Sequence, residues 1–164
     1  MEKILKIAFS LIMIFSVMAC SEDSSSGSMI NASMKVELFD TTDNVWKKYG
    51  GFCDIADWHP AVESCEISEE NGETFRLLTL ADGATIKEKH LGAGDVETSY
   101  KYSIVEGPLP VNNYVSTFEV QPEHDWINVK WSSEFNASGV SDDQAQEIIT
   151  GIYEAGLYSI LEQN

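Results

Sequence analysis

DWHPAVESC, residues 57–65, sets Asp57, His59 and Cys65 close together, with Cys53 just upstream. An acid, an imidazole and two thiols in so short a stretch could serve nucleophilic catalysis or bind a metal. The neighbouring residues favour a plainer reading. Trp58 ends a short helix, Pro60 stops it because proline disfavours helical geometry in the residue before it, and Ala61-Val62 begin a strand. The other histidines, His90 and His124, stand far along the chain, and neither CxxC nor HExxH occurs, so no metal site is expected. No GxSxG elbow or glycine-rich phosphate loop joins a strand to a helix, and no cofactor is expected.

A second set of reactive side chains lies on strands. Taking the apolar phase of each strand as inward gives Arg76, Leu78 and Leu80, then Ile86, Glu88 and His90, then Tyr100, Tyr102 and Ile104. Tyr114, Ser116, Phe118 and Val120 follow, and then Ile127, Val129, Trp131, Ser133 and Phe135. Arg76 is the chain's single arginine, and it points inward in a protein of net charge −17. A buried guanidinium needs a partner, and Glu88 on the adjoining strand is the obvious one. Such a pair can brace the sheet. It can also orient a ligand, with Arg76 on a carboxylate or carbonyl, Glu88 accepting a hydroxyl proton and Tyr102 donating.

The elements that position these groups are read from periodicity and turn residues. Met34, Val36 and Leu38 alternate in a first strand ending near Asp40. Two short helices follow, the first capped by Thr42 or Asp43 and broken at Gly50-Gly51, the second turning Phe52, Ile55 and Trp58 inward. Six strands come next, at about 62–69, 74–80, 84–91, 97–105, 112–121 and 126–135, separated by Asn71-Gly72, Asp82-Gly83 and other turn signals. One long helix closes the chain, opened by a Ser141/Gln144 capping box, with Ile148, Ile149, Ile152, Tyr153, Gly156, Leu157, Ile160 and Leu161 in a stripe. Strands joined by tight turns make an antiparallel meander, and the class is α+β.

Val45-Trp46, Trp58-His59-Pro60-Ala61-Val62, Arg76-Leu77-Leu78-Thr79-Leu80 with Asp82-Gly83, and Glu88-Lys89 recur in a familiar order, followed by Tyr102, Pro108-Leu109-Pro110-Val111 with Tyr114, Trp131 with Phe135, and Ile152-Tyr153 with Gly156-Leu157. Over about 36–163 the chain resembles the SRPBCC superfamily, the START-related, birch-pollen-allergen-like helix-grip proteins, and within it the bacterial polyketide cyclase/dehydrase branch. The resemblance implies a curved seven-stranded antiparallel sheet, in the order β-α-α-β6-α, wrapped on a long C-terminal helix over a deep, largely apolar cavity. Joined to the strand phases, it places ligand contacts at Trp58, His59, Arg76, Glu88, Tyr100, Tyr102, Leu109, Tyr114, Phe118, Trp131, Phe135, Ile152 and Tyr153. His59 would cap the second helix or line the cavity rim, and the stiff loop 107–114 would border the mouth.

The first nineteen residues have the layout of a secretory signal peptide: Lys3 and Lys6, then the apolar run Ile7–Val17, too short to span a bilayer. Val17-Met18-Ala19-Cys20 resembles the lipobox of bacterial lipoproteins, with Cys20 lipidated; the alternative is an ordinary cleaved signal. Residues 20–30 read as a flexible tether and 31–164 as one domain. Export permits a Cys53–Cys65 disulfide, which their spacing does not decide. Ser21 resembles the sorting signal for the periplasmic face of the outer membrane. So acidic a body repels phosphate backbones, which excludes nucleic acid, and membrane attachment would rest on the lipid. Three functions fit: an envelope-tethered binding protein for a hydrophobic or aromatic small molecule or lipid; a cyclase, dehydratase or isomerase using Glu88 with Tyr102 and Arg76; and a periplasmic protein-interaction module.

Overall fold

The computed structural model describes residues 29–164. The expected signal peptide, Cys20 and most of the tether lie outside the described residues. Ten elements follow in the order β1 (Ile30–Leu38), α1 (Thr42–Tyr49), α2 (Ile55–Trp58), β2 (Val62–Glu70), β3 (Glu73–Leu80), β4 (Thr85–Ala93), β5 (Ser99–Glu106), β6 (Val111–Glu123), β7 (Trp126–Ala137) and α3 (Asp142–Glu162). The strands form one antiparallel sheet in the order β1-β7-β6-β5-β4-β3-β2. The last six make a meander, and β1 joins it by pairing along β7 from Ile30 opposite Phe135 to Leu38 opposite Ile127.

Turn chemistry sets the register of the first hairpins. Asn71 and Gly72 both take positive φ between β2 and β3, the backbone that a two-residue turn matched to strand twist requires. Asp82-Gly83 turns β3 into β4, with Asp82 Oδ1 accepting from the Ala84 N–H at 2.9 Å. Arg76 thereby falls directly opposite Glu88.

One face of the sheet is apolar, and α3 covers it, lying chiefly against β1 and β7. The capping box forms: Ser141 Oγ accepts from the Gln144 N–H at 3.3 Å, and Gln144 Oε1 accepts from the Ser141 N–H at 3.2 Å. Ala145, Ile149, Tyr153, Gly156, Leu157 and Ile160 are its buried face, while Ile148 and Leu161 at the edges of the expected stripe are exposed. The first helix is capped by Thr41, upstream of the expected Thr42 or Asp43, and the Thr41 side chain accepts from the Asn44 N–H. Asp40 makes this possible by taking hydrogen bonds from the Thr41 N–H at 2.7 Å and from Asn44 Nδ2 at 2.8 Å. Phe52 lies in the α1–α2 connection rather than on α2.

Candidate ligand cavity and its ion-pair wall

Between the sheet and α3 lies a cavity of about 80 Å³. β3 and β4 present Leu78, Leu80, Ile86 and Glu88 to it, β5 presents Tyr102 and Ile104, and Leu109 comes from the loop before β6. Tyr114 of β6 and Trp131 of β7 form the far wall, with Ile149, Ile152 and Tyr153 of α3 above. Ile55, His59, Ala61 and Val62 close the side at the α2–β2 joint. The lining is almost wholly apolar. An engineered cavity of roughly 150 Å³ accommodates benzene, so the space here is shallower than the deep cavity the resemblance implied.

Aromatic side chains account for the missing volume. The Trp131 ring stacks on Tyr153 at 4.4 Å between centroids, which pulls α3 down onto β7. Their polar atoms form one connected network. Trp131 Nε1 donates to Tyr102 Oη at 2.8 Å and to Ser116 Oγ at 3.0 Å, Ser116 Oγ donates to the Ser132 carbonyl at 2.8 Å, and the Tyr114 and Tyr153 hydroxyls share a 2.5 Å bond. Burial pushes Tyr102 and Tyr114 well above the ordinary tyrosine value and Tyr153 up to about 12. All three are therefore neutral hydroxyls at physiological pH, able to donate a hydrogen bond but not to act as phenolate bases.

His59 belongs to the same wall, at the end of α2. Its Nδ1 accepts from the Ala61 N–H at 3.2 Å, so the proton is on Nε2, which donates to the Ile152 carbonyl of α3 at 3.0 Å. Burial holds the imidazole below its ordinary pKa. Gly156 lets α3 approach this joint: a Cβ there would stand 2.6 Å from His59 Cδ2, 2.8 Å from Trp58 Cζ3 and 3.1 Å from Trp131 Cζ3.

The ion pair sits at the opposite wall. Arg76 Nε donates to Glu88 Oε2 at 2.5 Å, and both side chains are buried. Arg76 Nη1 donates to the Phe52 carbonyl, and the guanidinium lies between aromatic faces, 4.3 Å from the Phe52 ring centroid and 4.7 Å from that of Tyr102. Burial alone would weaken the guanidinium's hold on its proton; Glu88, Tyr100 and Tyr102 outweigh it and keep the pKa above the ordinary arginine value. Burial raises the Glu88 carboxyl and Arg76 opposes that rise. Neutralising Glu88 would strand a dry cation beside it, so the two remain an ion pair. Glu88 lines the cavity and Arg76 does not. His90 lies half-buried nearby, its edge against Phe52 at 4.8 Å, and is held below its ordinary pKa by burial and then by Arg76.

Of the expected ligand contacts, His59, Glu88, Tyr102, Leu109, Tyr114, Trp131, Ile152 and Tyr153 come together around the cavity. Trp58, Arg76, Tyr100, Phe118 and Phe135 stand behind its walls, and each is accounted for by a neighbour. Trp58 stacks on Phe118 at 5.6 Å, Phe118 on Tyr100 at 5.7 Å, and Phe135 lies 5.9 Å from Tyr114. The aliphatic lining from Ile55, Leu78, Leu80, Ile86, Ile104 and Ile149 was absent from the expected contacts. Strand phase alone turns Leu78, Leu80, Ile86 and Ile104 inward. Cys53 and Cys65 are joined by a disulfide, with Cα atoms 5.6 Å apart. Among the described residues, no three His, Cys, Asp or Glu side chains gather as a metal ion would need.

Seven antiparallel strands gripping a C-terminal helix over an internal cavity define a helix-grip fold. Residues 29–161 match the family described as polyketide cyclase / dehydrase and lipid transport, and the chain belongs to it. Among solved structures it is similar to the protein XoxI from Bacillus cereus, at 35% identity over 82% of this chain and 94% of that one, with a TM-score of 0.75. An uncharacterised protein from Bacillus thuringiensis is similar at 37% identity over 79% and 94%, with a TM-score of 0.72. The ZhuI aromatase/cyclase from Streptomyces sp. R1128 shares the fold at 18% identity over 82% and 93%, with a TM-score of 0.65. No curated protein matches the chain.

Proposed function

We propose that this chain is a binding protein for a small hydrophobic or aromatic molecule or lipid, held between the sheet and α3 and tethered to the bacterial cell envelope through Cys20. The observation that carries the reading is the cavity lining: aliphatic and aromatic on every side, with one carboxylate, Glu88, already engaged by Arg76. A general base has to be free to take a proton from its substrate, and a carboxylate held by a guanidinium at 2.5 Å is poorly suited to that. The family description, which includes lipid transport, supports the same reading. At about 80 Å³ the cavity has to widen to admit a ligand, and the seam between α3 and the α2–β2 joint, where Ile152 meets His59, is a place where it can part.

Native mass spectrometry of protein purified from its own host should show an apolar molecule carried through purification, and that molecule should raise the melting temperature when added back. Protein that is empty by mass and unmoved by a broad set of apolar compounds would overturn the proposal. A second reading, a cyclase, dehydratase or isomerase, draws on Glu88 and Tyr102 lining the cavity together. It requires Glu88→Gln to abolish turnover of a bound substrate in a protein that still folds and still binds it.

A further inference from the structure

Residues 50–54, between α1 and α2, cover the Arg76 side of the sheet. Phe52 provides the cover: its ring lies over the guanidinium, its carbonyl accepts from Nη1, and its edge meets His90 and Tyr100. Beneath it Arg76 has no exposed surface, although Nη2 meets no hydrogen-bond partner among the described residues. The segment's other hydrogen bonds are local: the Gly50 N–H donates to the Trp46 carbonyl, the Asp54 N–H to the Gly51 carbonyl, the Gly51 N–H to Asp54 Oδ2, and the Ala56 and Asp57 N–H groups of α2 to the Cys53 and Asp54 carbonyls. Its covalent hold on the sheet is the Cys53–Cys65 bond. Both cysteines are only half-buried, and Cys65 sits on β2, the edge strand of the sheet. Cys65 is packed against the core from this edge strand, and a disulfide between half-buried cysteines is open to exchange once an external thiol reaches either sulfur.

We propose that the Cys53–Cys65 bond is a redox-operated latch, whose reduction by a dithiol lifts residues 50–54 and exposes Arg76, which stands behind the cavity wall and holds Glu88. One thiolate of the dithiol attacks a sulfur of the bond and forms a mixed disulfide, which the second thiolate then resolves. Two electrons and two protons end on Cys53 and Cys65 as thiols, and the reductant leaves as a disulfide. Water then reaches Arg76 and weakens the pair that presents Glu88 to the cavity. Opening would be local, since the segment is short and its remaining long-range hold is the contact of Phe52 with Arg76 and the neighbouring rings.

Arg76 is the chain's single arginine, so its modification by phenylglyoxal, located by peptide mapping, reports the cover directly and needs no ligand. Oxidised protein is compared with protein reduced by dithiothreitol and with the Cys53→Ser/Cys65→Ser variant, near-UV circular dichroism serving as the measure of native tertiary structure. The expected result is an adduct at Arg76 forming at least about tenfold faster in the reduced and variant proteins, with the near-UV spectrum retained. Phe52→Ala, with the disulfide intact, should speed the adduct as well. An unchanged rate in reduced protein overturns the proposal. So does an adduct that appears only together with loss of the near-UV signal, which would make the bond a staple of the whole fold. Failure here leaves the proposed binding function untouched, because phenylglyoxal reads only the cover.

Discussion

Replacing Glu88 by leucine tests whether the ion pair braces the sheet. Both side chains are buried, at 0% and 6% exposure, so either single replacement strands its partner's charge away from water. Removing one member of such a pair costs about 3–5 kcal/mol, and Glu88→Leu and Arg76→Met should each fall in that range. The double variant has no charge left to desolvate. Its remaining loss is the hydrogen bond to the Phe52 carbonyl and the ring contacts of the guanidinium, about 1–3 kcal/mol for an acceptor left dry. The double variant should therefore be more stable than either single one. Guanidinium unfolding followed by tryptophan fluorescence, analysed by linear extrapolation with closely similar slopes for all four proteins, gives the comparison. A domain of this size has roughly 5–15 kcal/mol to lose, so the single variants retain enough fold to measure. If the double variant instead loses the sum of the two single losses, the side chains act independently and the bracing argument fails.

Other replacements read other parts of the site. Gly151→Ala should stabilise the protein by about 1 kcal/mol, since its Cβ would meet nothing and α3 gains propensity; Gly156→Ala should lose about 2 kcal/mol, its Cβ pressing on three rings, and melting temperatures moving in the same direction would contradict this. His59 is held below its ordinary pKa, so the unfolded chain binds its proton more readily. Its stabilising contribution is complete above about pH 6.5 and is lost as the pH falls through the lower folded-state value; the melting temperature of His59→Phe should drop less between pH 7.5 and 5 than that of the parent, and parallel curves would refute this. Tyr153→Phe strips the Tyr114 hydroxyl of its buried partner and should cost about 1–2 kcal/mol in urea unfolding, a loss that the added Tyr114→Phe change should largely restore.

The fold was legible because its signals are local. Period-two alternation named the inward residues of five strands, and Asn71-Gly72 and Asp82-Gly83 fixed two hairpins. Arg76 and Glu88 stand equally far from Asp82, so the second turn alone sets one opposite the other. The cap of α1 falls at Thr41 rather than at Thr42 or Asp43 for an equally local reason: Asp40, just upstream, can hold both Thr41 and Asn44. The pairing of β1 with β7 joins residues about a hundred positions apart, and no turn announces it; the family resemblance gave a seven-stranded antiparallel sheet but not this pairing.

The site was legible in its residues and not in its depth. Strand phase states which way a side chain points, while cavity volume is set by how far α3 descends onto the sheet. That descent depends on Gly156, which lets the helix backbone meet His59 and Trp58, and on Tyr153, which lies flat on Trp131 and shares a hydrogen bond with Tyr114. From sequence, the helix-weakening glycines Gly151 and Gly156 read as places where α3 lies close to a neighbour or bends, which holds for Gly156 while Gly151 meets nothing, and Tyr153 reads as a ligand contact. Together Gly156 and Tyr153 act first as spacers, drawing the helix close enough that the aromatic side chains fill the space they line. Family resemblance carried the cavity over from relatives, but its size belongs to this chain's own spacers, and those act between elements that no short window of sequence contains. His59 follows the same logic. In the stretch 57–65 it looked like a reactive group beside a thiol, yet both ring nitrogens are engaged by backbone, one within the α2–β2 joint and one on α3. An imidazole held on both sides fixes how two elements sit together, and any ligand entering between them has first to part that contact.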